Sequence, residues 1–291
     1  MGNRSSAFII KSHLREFIAN ARSRRARISL QRREATKAMW LLERTNLRDT
    51  DEVDVLGYKI AFLGEELFRY MFNEIFMGEC YHFHAGTDRP TIFDCGSNIG
   101  MSVLYFKKHY PFARILAFEP DPRTFATLCK NIHQNQLGNV VAHQVALGSA
   151  DGVVDFYRPE DENSSGLLMS TNRERWYSTR IQVPAKRLST FIDSEVDLLK
   201  LDVEGAEFDV MDDLIATGKL HHVRRIHLEY HHHLGSARDK LSLMLRWLEE
   251  AGFGYLVQAH PGPVRVDGAF QDISLYCYRP GLLPRKLDHC E

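Results

Sequence analysis

The chain has 291 residues, of which 44% are hydrophobic, enough for one substantial α/β core plus an appendage. A formal net charge of -1 argues against a surface built as a whole to attract nucleic acid. Its five cysteines (Cys80, Cys95, Cys129, Cys277 and Cys290) are odd in number and form no C-x-x-C pair. They argue against a disulfide framework or a zinc site and fit reduced thiols in a cytoplasmic protein.

Met1 to Asn46 reads as a basic helical extension. Phe8, Ile9, Leu14, Phe17 and Ile18 recur at helical spacing, as do Ala35, Ala38, Met39 and Leu42. Between them Arg22, Arg24, Arg25, Arg27, Arg32 and Arg33 run without an acid, either as a solvated face or as a weak peripheral contact for an acidic surface. No integral membrane segment is expected, and Met1–Lys11 lacks the pattern of a secretory signal. Met1, Gly2 and Ser6 match a bare myristoylation pattern short enough to arise by chance. Thr45–Asp54 reads as a linker, so the expected division is residues 1–50 and 51–291.

Val53–Phe62 predicts two short strands around Gly57. Glu65–Phe76 predicts an amphipathic helix, because Leu67/Phe68, Met71/Phe72 and Ile75/Phe76 are spaced by four. From Thr91 the chain alternates. Strands are expected at Thr91–Cys95, Arg114–Phe118, Val140–Val145, Leu198–Leu201 and Arg225–Leu228. Helices are expected at Met101–His109, Pro122–Asn135, Glu207–Thr217 and Ala237–Ala251. Such alternation gives a mostly parallel sheet covered on both faces. Tyr255–Gln258 and Ile273–Tyr278 read as a closing antiparallel hairpin. Arg158–Arg180 reads as a long loop, with Ser164, Ser165, Gly166, Trp176 and Tyr177 as candidate lid residues.

Thr91-Ile-Phe-Asp-Cys-Gly-Ser-Asn-Ile-Gly100 runs from an apolar strand through an acid and a glycine turn into a helix. Ligands of open α/β sheets bind at such turns. Gly96 suits a sharp turn and Gly100 a close helix approach. A dinucleotide fingerprint needs G-x-G-x-x-G, but Asn98 and Met101 occupy its second and third glycine positions. A cationic, phosphate-free cofactor facing Asp94 fits better. Glu119, at the end of the next strand, suits both hydroxyls of a ribose, or else the start of a helix announced by Pro120 and Pro122. Ala146, after the third strand, is a candidate neighbour of an adenine ring.

Phe93-Asp-Cys-Gly-Ser-Asn-Ile-Gly100, Ala117-Phe-Glu-Pro120, Val145-Ala-Leu-Gly148 and above all Lys200-Leu-Asp-Val-Glu-Gly-Ala-Glu207 together resemble the FkbM family of S-adenosylmethionine-dependent methyltransferases. The resemblance covers roughly Val53 to Tyr278. It implies a Rossmann-like seven-stranded sheet with a reversed last strand, and O-methylation of sugars or other small metabolites. Carried over, Asp94, Gly96 and Gly100 line the methionine part of the cofactor and Glu119 its ribose. Cys95 departs from the family's usual Val or Ile.

An alcohol is a poor nucleophile at neutral pH, so methyl transfer to it calls for a base or a metal. Asp202 and Glu204 follow the fourth strand. If the backbone stays extended there, alternation puts both on one face, with Asp202 toward the cofactor and Glu204 or Glu207 toward the acceptor. Glu229 and His231 share a face of the fifth strand, with His231 as candidate base. His231, His232 and His233 are adjacent, which seldom lets side chains converge on one ion, so no metal is expected. The expected partner is a small-molecule or glycan acceptor, not nucleic acid, since no N-P-P-[YF]-type run is present. A catalytically inactive cofactor-binding protein acting through its basic helices, and a nucleotide-dependent oxidoreductase, are the alternatives.

Overall fold

The computed structural model describes residues 32–158, 179–232, 240–259 and 271–282. The arginines before Arg32, the candidate lid residues, His233 and Cys290 lie outside these residues. Helix α1 spans 32–44, and β1 (Glu52–Val55) and β2 (Tyr58–Ala61) form an antiparallel hairpin around Leu56 and Gly57. Helix α2 (Glu65–Phe72) does not remain α-helical to Phe76. It widens into a π-helical turn at Asn73–Met77, closed by Gly78 N–H donating to Asn73 O at 2.8 Å.

Strand β3 (Thr91–Cys95), α3 (Met101–His109), β4 (Arg114–Phe118), α4 (Pro122–Gln134) and β5 (Val140–His143) then alternate as the sequence predicts. Asp121 caps α4, accepting from Arg123 N and Thr124 N, with Pro122 at the first helical position. Strand β9 (Leu198–Leu201), α5 (Glu207–Ala216), β10 (Arg225–His232), α6 (Leu241–Glu250), β11 (Gly254–Ala259) and β12 (Gln271–Tyr278) complete the main sheet. Its seven strands lie in the order β11-β12-β10-β9-β3-β4-β5. Strand β12 runs antiparallel to both β10 and β11, which gives the expected reversed strand and closing hairpin.

A second sheet was not foreseen. Strand β6 (Ala146–Leu147), β7 (Gly152–Arg158) and β8 (Thr179–Lys186) associate in the order β6-β8-β7. The segment read as a loop from Arg158 to Arg180 therefore has strand at both ends. The third main-sheet strand stops at His143 instead of reaching Val145.

Alternation along each strand separates two cores. Ile92, Ile115, Ala117 and Leu198 face one side, under α1, α2 and α3. Phe93, Cys95, Leu116, Phe118, Leu199 and Leu201 face the other, against α5 and α6. Ala35, Ala38, Leu42 and Leu47 share the first core with Phe68 and Phe72, so the described part of the N-terminal extension packs into the main body. Phe68 and Phe72 of α2 are core, with Phe62/Phe68 and Phe72/Phe76 stacked at 4.8 and 5.2 Å, while Tyr70 is exposed.

Candidate active site

Register builds the site before any loop is considered. Asp94 of β3 pairs with Lys200 of β9, Lys200 with His227 of β10, and His227 with Tyr276 of β12. These four polar residues form a row across the sheet, on the side of the first core. Glu229 and Ser274 form the next pair toward the carboxyl ends of the parallel strands, beside Asp202.

The turn after β3 is tied to β4. Gly96 N–H and Ser97 N–H both donate to Phe118 O, at 3.0 and 2.9 Å, and Gly100 N–H donates to Ser97 O at 2.8 Å. Asn98 N–H donates to Glu119 Oε2 at 3.0 Å, and Ile99 N–H to Asn98 Oδ1 at 2.7 Å. All five amides from Gly96 to Gly100 are thereby spent inside the protein. A phosphate would find no donor among them. Asn98 adopts a φ of 50°, a conformation asparagine tolerates.

Glu119 also accepts from Asp121 N–H at 2.9 Å. Burial pushes its pKa up to about 8 despite these two backbone donors. A buried carboxyl at the ligand edge of the turn, with lone pairs to spare, suits two vicinal hydroxyls.

Asp94, which the resemblance places along the methionine part of the cofactor, lies within the protein. It is 0% exposed, Ser102 Oγ donates to its Oδ2 at 2.6 Å, and Lys200 Nζ lies 3.6 Å from Oδ1. Through these contacts it joins β3 to α3 and to Lys200. Ala146, a candidate neighbour of an adenine ring, packs with Phe156, Val183 and Ala185 of the second sheet. The glycines act on their neighbours. A Cβ on Gly96 would lie 1.7 Å from Asp202 O, and one on Gly100 would lie 2.7 Å from Leu128 Cδ1.

Strand β9 ends at Leu201, so Asp202 and Glu204 do not share a face by strand alternation. Instead Glu204 takes a φ of 59° in a tight turn, which still brings it to Asp202 and His231. Glu207, which the sequence offers beside Glu204 as the acid toward the acceptor, is 2% exposed. Its Oε1 accepts from Val203 N–H at 3.2 Å and Gly205 N–H at 2.9 Å, and lies 2.8 Å from His231 Nδ1. Because a carboxylate only accepts, Nδ1 carries a proton, and by the same rule Nε2 and Glu204 Oε2, 3.1 Å apart, have one proton between them, with Asp272 Oδ1 at 3.7 Å.

Lys200, for which the sequence suggests no role, is the central cation. Its Nζ donates to Gly96 O and lies 3.2 Å from Asp202 Oδ2, below the ring of Tyr81. Burial opposes its charge, but Asp202 and Asp94 hold its pKa above the usual lysine value. Tyr81 O–H donates to Asp202 Oδ2 at 3.5 Å. Glu229 and His227, on the same face of β10, titrate in opposite directions. Burial first, then Asp202, raises Glu229 to about 8, while burial lowers His227 to about 3.

Ligand-capable atoms of Asp202, Glu204 and His231 lie within 4.8 Å of one another, as do those of Glu229, His231 and Asp272. That spacing would admit a cation, and the hydrogen bonds around the imidazole account for it equally well. Among the described residues, no helix is long and apolar enough to cross a membrane.

Comparison with known proteins gives one family match, the Methyltransferase FkbM domain, over residues 94–255. Methyltransferase 1 of Beauveria bassiana is 36% identical over 197 residues, covering 60% of this chain and 77% of its own. The 31-O-demethyl-FK506 methyltransferase FkbM of Streptomyces tacrolimicus is 26% identical over 240 residues, covering 72% and 89%. The 2-O-methyltransferase NoeI of Sinorhizobium fredii is 30% identical over 159 residues, covering 48% and 63%.

Proposed function

Because the chain belongs to the FkbM methyltransferase family, we propose that it carries a methyl group from S-adenosylmethionine to a hydroxyl of a small molecule, sugar or glycan. It is a methyltransferase; the donor and the acceptor class are our reading. One observation carries the donor. The amides of residues 96–100 are all committed within the protein, while the buried carboxyl of Glu119 stands at the same turn. A diphosphate would go unbound there, and ribose hydroxyls would meet an acceptor. The residues therefore fit a nucleoside without phosphates.

In this reading Gly96, Asn98 and Gly100 shape the turn along the methionine part, Glu119 holds the ribose, and Asp94 acts through Lys200 and Ser102. Asp202 presents its carboxylate at the end of β9, where an ammonium or sulfonium group would be stabilised. The bound donor supplies an electrophilic methyl group and a thioether leaving group. What remains for the protein is alignment, which contributes about 7–11 kcal/mol at best, and proton removal from the acceptor.

His231 and Glu204 are our candidates for that proton. Glu207 fixes the imidazole so that Nε2 points to the mouth of the site, and Glu204 lies beside it. The names of two relatives specify O-methylation, which supports an oxygen acceptor. The test uses methyl-labelled S-adenosylmethionine with a panel of hydroxylated acceptors. Label should appear as a methyl ether, and Glu204→Ala and His231→Ala should each lower the rate by about 10²–10⁴. Full rates in both variants would remove these two residues from the chemistry.

A further inference from the structure

Beside the catalytic carboxylates lies a cleft that the reading above leaves unassigned. Its floor is one face of the β10–β12 pair, where His227 stands opposite Tyr276 and Glu229 opposite Ser274. Its walls are Glu74 of the π-helical turn, Cys80 and Tyr81, and it opens beside Asp202. The space enclosed within it is about 20 Å³, room for one water-sized group. A single hydroxyl fits there, and the ring or chain that carries it would stand at the mouth.

Two of its polar groups are unspent. Glu229 makes no side-chain hydrogen bond among the described residues, although it is largely buried. His227 is 8% exposed, and its Nδ1 has no hydrogen-bond partner. Native proteins rarely bury such groups without a purpose.

We propose that this cleft is the acceptor subsite, and that it takes an uncharged hydroxyl-bearing group held by Glu229 and His227. The proposal rests on the methyl-transfer reading, since the cleft adjoins Asp202 and so opens where the reacting groups would meet. Anions are disfavoured because the acids Glu74 and Asp202 line the space. The nearby cation, Lys200, is already held between Asp94 and Asp202. Cations are disfavoured because the floor does not sustain charge: burial drives Glu229 toward its protonated form and His227 toward its neutral one. What remains is a set of hydrogen-bonding groups suited to hydroxyls.

The experiment titrates the full chain with methyl α-D-glucopyranoside, D-gluconate and D-glucosamine, read by saturation-transfer NMR. Each titration is run with and without S-adenosylhomocysteine. The wild type should bind the uncharged glucoside in preference to the two charged probes. The near-isosteric variants Glu229→Gln and His227→Phe should each weaken it about three- to tenfold. Their affinity for S-adenosylhomocysteine should stay unchanged. No saturable glucoside binding, equal binding in both variants, or preference for a charged probe would overturn the proposal. Failure of S-adenosylhomocysteine to bind would instead count against the donor reading, and the titration without it would still decide the cleft.

Discussion

Lys200 Nζ lies 3.2 Å from Asp202 Oδ2, and this ion pair sits between the first and fourth strands of the parallel sheet with Asp94 on its far side. The lysine also donates to Gly96 O, so one ammonium group joins the turn, the strand end and two acids. Lys200→Met would leave the buried Asp94 and the partly buried Asp202 beside each other without a cation. Breaking a buried pair in this way costs about 3–5 kcal/mol. Chemical denaturation should show that loss. Lys200→Arg should not restore stability, because a planar fork cannot replace a compact ammonium in this space.

Gly96 is constrained by a neighbour as well as by its backbone. Its φ is 82°, and a Cβ would fall 1.7 Å from Asp202 O. Gly57 has a similar φ of 83° but open space around it. Gly57→Ala should therefore cost about 1 kcal/mol, while Gly96→Ala should cost more and abolish donor binding. Thermal unfolding of the two variants checks the contrast.

Glu207 and Glu204 flank the same imidazole and should separate under mutation. Glu207→Ala strips an acceptor from Val203 N–H, Gly205 N–H and His231, and should destabilise the fold by about 3 kcal/mol. Glu204 lies in the tight turn after β9 with its side chain 20% exposed, against 2% for Glu207. Glu204→Ala should leave the melting temperature within a few degrees of wild type while lowering transfer.

Glu229 gives a pH signature. Its pKa rises from the ordinary 4.5 to about 8 in the folded protein, so between those values the folded state holds the proton more tightly than the unfolded one. Stability from this group is therefore present at low pH and is lost as pH rises through about 8. Glu229→Gln removes the dependence. Its melting temperature relative to wild type should climb from pH 5 to pH 8 and level off above. Glu119 titrates in the same direction, but it is common to both proteins and cancels in the difference.

The legible part of the molecule was its periodic part. Branched and apolar runs place β3, β4, β9 and the helices between them almost residue for residue. The turn sequence Gly96–Gly100 and the acid Glu119 point to the ligand edge because strand ends in such sheets are where ligands sit. The second sheet is not legible because a proline, Pro184, argues against a strand there although β8 runs through it, and only Phe156, Val183 and Ala185 bury with Ala146. The contact of Asp94 with Lys200 is not legible, because the two lie 106 positions apart in sequence and only the register of β3 with β9 joins them. The same holds for the cleft. The alternation His227, Glu229, His231 is visible along β10, but Tyr276 and Ser274 face it only through antiparallel pairing with β12. The π-helical turn that supplies Glu74 carries no periodicity that separates it from the α-helix before it.

The central claim is that the turn between β3 and α3 receives a nucleoside that carries no phosphate. Isothermal titration of the full chain with S-adenosylmethionine and, separately, with NAD tests it most directly. The account predicts saturable heat with the first, lost in Glu119→Ala, and none with the second. Binding of NAD with comparable affinity would contradict it.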